Sequence, residues 1–247
     1  VAVVVVLVVL VLLAVAAVVG EGYASAAARD YVRERVLVAL ALPDDADIEV
    51  DVPGLVLVQA LSGRLDVVDV VVPEADFGAL RGTADFHAED VPFDGFAPLG
   101  TLRGEFSIAE PDLAPIAGDL SGLELESIEL EEPEVVVATS FRILGAQLPI
   151  AMGLEPSAVD GGIVFTPTTV RVGDEVFDAD DLRADPFFGS LARDLLVQQS
   201  FCVAEHLPAA FTVTDVDVRG DDLVLAISGD GAVLGGPDIV TRGVCTP

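Results

Sequence analysis

The chain has 247 residues, 52% of them hydrophobic, with a mean hydropathy of +0.62. That is ample apolar material for a sizeable core, and it excludes wholesale disorder. The net charge is −30 and the pI about 4.1, which opposes non-specific attraction to nucleic acid or to a bare anionic lipid surface.

Residues 1–20, VAVVVVLVVLVLLAVAAVVG, carry no charge. Roughly 20 apolar residues are what a helix needs to cross a bilayer, where it satisfies its own backbone. Two readings stand side by side: a signal anchor, or a signal peptide cut after a site such as Ala24-Ser25-Ala26. Either places residues 27–247 outside the cytoplasm. The expected division is a transmembrane or signal segment at 1–20 and an extracytoplasmic domain at 21–247, built from two related halves.

The next stretch is alanine-rich, and Val32, Val36 and Leu40 recur every four positions, which predicts a helix that ends at Pro43. The period then changes to two. Ile48, Val50 and Val52 alternate with Glu49 and Asp51; Ala84, Phe86 and Ala88 alternate with Asp85, His87 and Glu89. Leu123 and Leu125 begin a similar alternation that slips by one residue at Ser127, as a β-bulge would. Further strands are expected near 65–72, 101–108, 135–144, 163–172, 211–218 and 223–228. The pattern is that of antiparallel sheet with one acidic, wet face and one apolar face. Two helices are expected to interrupt it, one capped by Ser107 and running to Leu120, the other running from Asp185 to Pro208 with Phe188, Leu191, Leu195 and Gln198 on one stripe. The fold class is α+β: a curved, elongated, half-barrel-like antiparallel sheet packed around a few helices, after an N-terminal transmembrane or signal helix.

Few residues point to chemistry. There is no GxSxG elbow, and His87 and His206 are the only imidazoles. Two histidines and two cysteines cannot make a standard zinc site, so neither metal nor cofactor is expected. GDGAVLGG at 229–236 lacks the helix that a phosphate loop requires and reads as a turn. The Asp178, Asp180 and Asp181 cluster lacks the glycine and distal glutamate of a calcium loop. Cys202 and Cys245 are the only cysteines; in an exported protein an even pair suggests one disulfide, with two free thiols as the alternative. The chain reads as a binding protein and not as an enzyme.

DIEVDVPGLVLVQALSGRLDVVDV (47–70), following a helix, resembles the start of the LmeA family of actinobacterial phospholipid-binding envelope proteins. Gln59, Gly63 and Leu57 match the family's Gln, later Gly and Leu, while Pro53-Gly54-Leu55-Val56 stands where Gly-Phe-Pro-Phe is usual. FCVAEHLPAAFTVTDVDVRGDDLVLAISGDGAVL is similar to the family's helix, Leu-Pro, strand, turn, strand ending. The resemblance implies phospholipid as partner, at the plasma membrane or in the envelope space, in support of lipoglycan machinery or an envelope glycosyltransferase, with no nucleic acid. An apolar groove for acyl chains is the physical counterpart of that expectation. The candidate wall is Leu55, Val56, Leu57, Val58 and Leu61 with Phe93 and Phe96; Arg64, Arg81 and Arg103 are candidate headgroup partners. A scaffold whose apolar face is filled by its own side chains is one rival, and an envelope hydrolase or glycosyltransferase accessory with a metal site at Asp178, Asp180 and Asp181 is the other.

Overall fold

The structure, a computed structural model, describes residues 2–40, 42–76, 81–114, 126–143, 146–173, 175–187 and 189–245; for 2–17, 141–143, 146–148, 191 and 195 it describes the backbone alone. Helix α1 (Ala2–Leu40) is continuous, so the uncharged run and the amphipathic segment after it are one element. Ala28, Val32 and Leu40 are buried and Val36 is half-buried, because a four-residue spacing keeps them on one stripe. Past Leu40 the chain doubles back. The Leu42 N–H donates to Leu37 O (2.9 Å), and the Arg33 guanidinium donates to Asp44 O (3.1 Å) and Ala46 O (2.8 Å). Among the described residues no helix is long and apolar enough to cross a membrane.

The fold is α+β, with two open antiparallel sheets. β1 (Glu49–Asp51), the short helix α2 (Val56–Ser62), β2 (Arg64–Asp76), β3 (Arg81–Pro92) and β4 (Thr101–Ala109) come first. A single 3-10 turn, η1 (Glu110–Leu113), follows. The second sheet is then built from β5 (Ser127–Glu131), β6 (Glu134–Ile143), β7 (Ala146–Val159), β8 (Gly162–Val172), β9 (Glu175–Asp178) and β10 (Gln199–Cys202). Helices α3 (Ala179–Ala184) and α4 (Gly189–Leu195) lie between β9 and β10. After a 3-10 turn η2 (Ala204–His206) the chain returns with β11 (Thr212–Arg219) and β12 (Asp222–Ser228) and ends through α5 (Pro237–Val240).

The first sheet has the order β1-β2-β3-β4-β12-β11, the second β10-β8-β7-β6-β5 with β9 also on β8. Sheet one is therefore completed by strands from the far end of the chain: Leu225 pairs with Phe106, and Ile227 with Gly104. The two sheets meet where β11 packs on β7, and η1 ties them. The Glu110 carboxylate accepts from the Leu130 N–H (2.9 Å), while the Glu110 N–H donates to Asp221 O (3.0 Å). One continuous core results, running from Val32 and Leu40 through Val68, Phe106 and Leu225 to Val137, Leu154 and Phe165.

The period-two strands form as the alternation requires: Ala84 and Ala88 are buried and Phe86 half-buried, while Asp85, His87 and Glu89 are exposed. The two expected interrupting helices do not form as predicted. Ser107 belongs to β4 and caps nothing; Ala109 precedes a single 3-10 turn at Glu110, and residues 115–120 lie outside the described residues. The helix expected from 185 to 208 is confined to α4. From Gln199 the chain pairs with β8 instead, Phe201 opposite Ile163 and Cys202 opposite Gly162, so tertiary pairing overrides local propensity. Phe188 and the alternation at Leu123 and Leu125 lie outside the described residues.

Candidate functional site

Between the C-terminal half of α1 and the inner face of the first sheet lies an apolar groove of about 840 Å³, counted out to its open mouth. Most of that space is open to solvent; the enclosed part is about 90 Å³, smaller than the roughly 300–1,000 Å³ usual for small-molecule sites, so the groove must widen to take an acyl chain. Val32, Val36, Ala39 and Leu40 line it from α1; Leu65, Val68 and Val70 from β2; Phe86, Ala88 and Val91 from β3; and Leu102 from β4. Phe93 and Leu99 of the following loop, Phe211, and Leu234 and Ile239 of the C-terminal segment complete it. The strand alternation turns β2, β3 and β4 apolar toward α1, and the four-residue stripe of α1 answers it.

Local devices keep the groove open. The Phe86 ring lies where a side chain at position 104 would be, since a Cβ on Gly104 would stand 2.6 Å from Phe86 Cδ1. Tyr31 donates through its hydroxyl to Phe93 O (2.9 Å), fixing the 93–99 loop to α1. Within that loop the Asp94 carboxylate accepts from the Phe96 and Ala97 N–H groups (3.0 and 3.2 Å). These bonds, that from Ala97 first, hold its carboxyl below the ordinary range. The C-terminal segment closes one end: the Gly235 N–H donates to Gly95 O (2.6 Å) and the Leu99 N–H to Ala232 O (3.0 Å).

Two polar side chains border this lining, Tyr31 and Arg35. The Arg35 guanidinium lies over the Tyr31 ring, 5.1 Å from its centroid, as a cation–π pair does. Among the described residues Arg35 makes no ion pair, and its side chain is exposed at the rim. The arginines singled out from sequence are engaged elsewhere. Arg64 pairs with the Asp90 carboxylate and donates to Asp90 O (2.6 Å) and Pro98 O (2.8 Å); Arg81 pairs with Asp76 (3.3 Å); Arg103 pairs with Asp230. Sequence reasoning passed over Arg35, whose signal was its place four residues after Tyr31 beside the Val32, Val36, Leu40 stripe.

The greasy stretch at 55–61 is a helix turn outside the groove lining. Val56 is buried, whereas Leu55 (62% exposed), Leu57, Val58 (59%) and Leu61 (90%) face outward. Gln59, only 5% exposed, sets this orientation. Its amide donates to Pro53 O (2.8 Å) and its carbonyl accepts from the Asp66 N–H (3.0 Å). Phe93 lines the groove; Phe96 projects outward.

Cys202 and Cys245 form a disulfide that ties β10 to the end of the chain. GDGAVLGG makes turns whose Asp230 accepts from the Leu102 N–H (3.0 Å) and whose Leu234 enters the groove. Asp178 is the N-cap of α3, accepting from the Asp180 and Asp181 N–H groups (2.8 and 3.1 Å). Among the described residues no group of three or more His, Cys, Asp or Glu is arranged to hold a metal ion. On the outer face of the first sheet, His87 Nδ1 lies 2.6 Å from Asp69 Oδ1, and this hydrogen bond raises the imidazole above its ordinary value.

The family model for LmeA-like phospholipid-binding proteins matches residues 15–228, which contain every strand of both sheets and the groove-lining half of α1. No curated protein and no solved structure matches the chain at a significant level. The chain belongs to the LmeA-like phospholipid-binding family.

Proposed function

We propose that this member of a phospholipid-binding family carries or presents phospholipid on the outer side of the plasma membrane, with acyl chain in the α1 groove and phosphate on Arg35. The observation that carries the reading is the groove itself: an almost wholly apolar wall with one exposed guanidinium at its rim, stacked on Tyr31 and without an ion pair among the described residues. Each methylene taken from water into such a wall gains roughly 0.8 kcal/mol, and a guanidinium is the side chain best matched to a phosphate. The chain shields and positions lipid without covalent chemistry, in support of envelope lipid or lipoglycan assembly.

The uncharged run at 1–20 supports membrane attachment. The Cys202–Cys245 bridge fits an oxidising, extracytoplasmic compartment. Because α1 is continuous, Tyr31 stands eleven residues beyond Gly20, roughly 16 Å along the axis. The groove mouth is thereby held a short distance above the bilayer from which lipid would be taken.

The rival scaffold reading draws on the narrowness of the groove, whose enclosed part is about 90 Å³. It expects no bound lipid. Native mass spectrometry of the full chain released from detergent, with extraction of the same sample, separates the two readings. The lipid-carrier reading expects a stoichiometric phospholipid. It further expects R35Q to weaken phospholipid about tenfold, the loss of one charge-assisted hydrogen bond, while leaving diacylglycerol retention unchanged. A lipid-free mass after incubation with phospholipid vesicles would overturn it.

A further inference from the structure

We infer that α2, with the adjoining turn of α1, is a bilayer-seating face: Leu55, Leu57, Val58 and Leu61 enter the surface of the same membrane that holds residues 1–20. The inference rests on the reading that residues 1–20 lie in that membrane, and it concerns a surface separate from the groove.

Three observations carry it. First, the orientation of the face is fixed by contacts on its inner side. Gln59 is anchored inward by its two hydrogen bonds and Val56 is buried. On the side of α1, the Glu21 carboxylate accepts from the Val56 and Leu57 N–H groups (2.5 and 3.1 Å). The outward direction of the four aliphatic side chains is thus imposed by polar contacts on the opposite side.

Second, the face continues the uncharged run. A Cβ on Gly20 would stand 3.2 Å from Leu57 Cδ1, so α2 is pressed against α1 where that run ends. Val18 and Val19 there are exposed. Glu21 is the first charge of α1, and its carboxylate is turned onto the α2 N–H groups, so it does not interrupt the apolar surface. Tyr23, three residues on from Gly20 and therefore on a neighbouring part of the same face, is exposed. Tyrosine is enriched at membrane–water boundaries.

Third, four of the exposed large hydrophobics are clustered in one seven-residue stretch. On a chain of net charge −30, four large aliphatic side chains exposed within seven residues need an apolar neighbour. A short apolar helix face lying in the headgroup boundary is how interfacial helices find one. The consequence for the proposed activity is orientation: α1 fixes the height of the groove, and α2 fixes the rotation of the domain about α1.

The chain contains no tryptophan, so one introduced indole reports its own surroundings. L61W and V176W, the second on the exposed β9 edge of the other sheet, are prepared in the full chain. Each is reconstituted in phosphatidylcholine vesicles brominated near the top of the acyl chain. Interfacial helices sit roughly 5–10 Å into the headgroup and acyl boundary. The expected result is a blue-shifted L61W that loses most of its emission, beside an unshifted, unquenched V176W. An L61W indistinguishable from V176W overturns the proposal and leaves the face to a protein partner. Native mass spectrometry of the same L61W chain released from detergent, before reconstitution, reads bound phospholipid in the groove separately. Its presence with an unquenched L61W removes the seating face alone, and quenching without it supports the seating face while removing the groove.

Discussion

Replacing Gln59 with leucine tests whether one buried amide sets the direction of α2. The side chain sits 5% exposed and leucine has a similar volume, so the change removes hydrogen bonding without opening a large cavity. Two bonds go: the one to Pro53 O at 2.8 Å and the one from the Asp66 N–H at 3.0 Å. A hydrogen bond contributes roughly 0.5–1.5 kcal/mol net, and a buried partner left unsatisfied costs about 1–3 kcal/mol. Pro53 and Asp66 are on an exposed edge and water can reach them in part, so the lower end applies: about 2 kcal/mol in total. Leu61→Ala is the matched comparison. That side chain is 90% exposed, and its truncation should stay within about 0.5 kcal/mol. Urea unfolding followed by circular dichroism gives both numbers, and hydrogen exchange at residues 56–62 says whether the loss is local. A Q59L chain as stable as wild type, with unchanged exchange in α2, would refute the claim that Gln59 holds this helix in place.

Three further outcomes follow from the same geometry. Gly104→Ala places a methyl 2.6 Å from the Phe86 ring and should cost about 1–3 kcal/mol through overpacking; a crystal structure of the variant should show the ring displaced into the groove, and an unmoved ring would contradict this. Removing the disulfide as C202A/C245A opens a loop spanning 43 residues and should lower stability by about 4 kcal/mol on loop-entropy grounds, read by denaturant unfolding; a loss near zero would mean that the reduced chain is held closed by other contacts. His87 should titrate above the ordinary 6.5 because the Asp69 carboxylate accepts a hydrogen bond from the protonated ring. With the folded value raised, the contribution of the pair is complete below 6.5 and disappears as pH rises through the raised value. The pair is exposed, so the effect on stability is small. Proton NMR of the ring is the test, and a His87 value at or below 6.5 in wild type, or one that D69N leaves unmoved, would contradict it.

Much of the first sheet was legible because its strands alternate cleanly. Asp85, His87 and Glu89 face out while Ala84 and Ala88 face in, and the same parity continues through Leu102, Phe106 and Ile108. The α1 stripe of Val32, Val36 and Leu40 was legible for a similar reason. β7 was not: Pro149 and Pro156 remove ladder donors, and both argue against a strand lying between two neighbours. Its register shift at Gly153 and Leu154 is the adjustment that lets it pair with both. β10 was hidden because its residues follow a true helix and become a strand only against β8.

The apolar character of 55–61 could be read directly, but its direction could not. Whether those side chains point in or out depends on Pro53 and Asp66 reaching Gln59, and on Glu21 reaching α2 from another part of the chain. Likewise, Arg64, Arg81 and Arg103 looked as available as Arg35 until Asp90, Asp76 and Asp230 were seen beside them. Pairing between distant segments is what the linear pattern lacks.

The central claim is that acyl chain occupies the space between α1 and the first sheet. The most direct test is a phospholipid with a diazirine midway along one acyl chain. It is loaded onto the full chain, freed of excess vesicles and detergent-bound lipid, irradiated and mapped by peptide mass spectrometry. The account predicts labels on the groove walls, at Val36, Ala39, Val68, Phe86 or Leu102. Labels confined to Leu55, Leu57, Val58 and Leu61, or none above background, would contradict it.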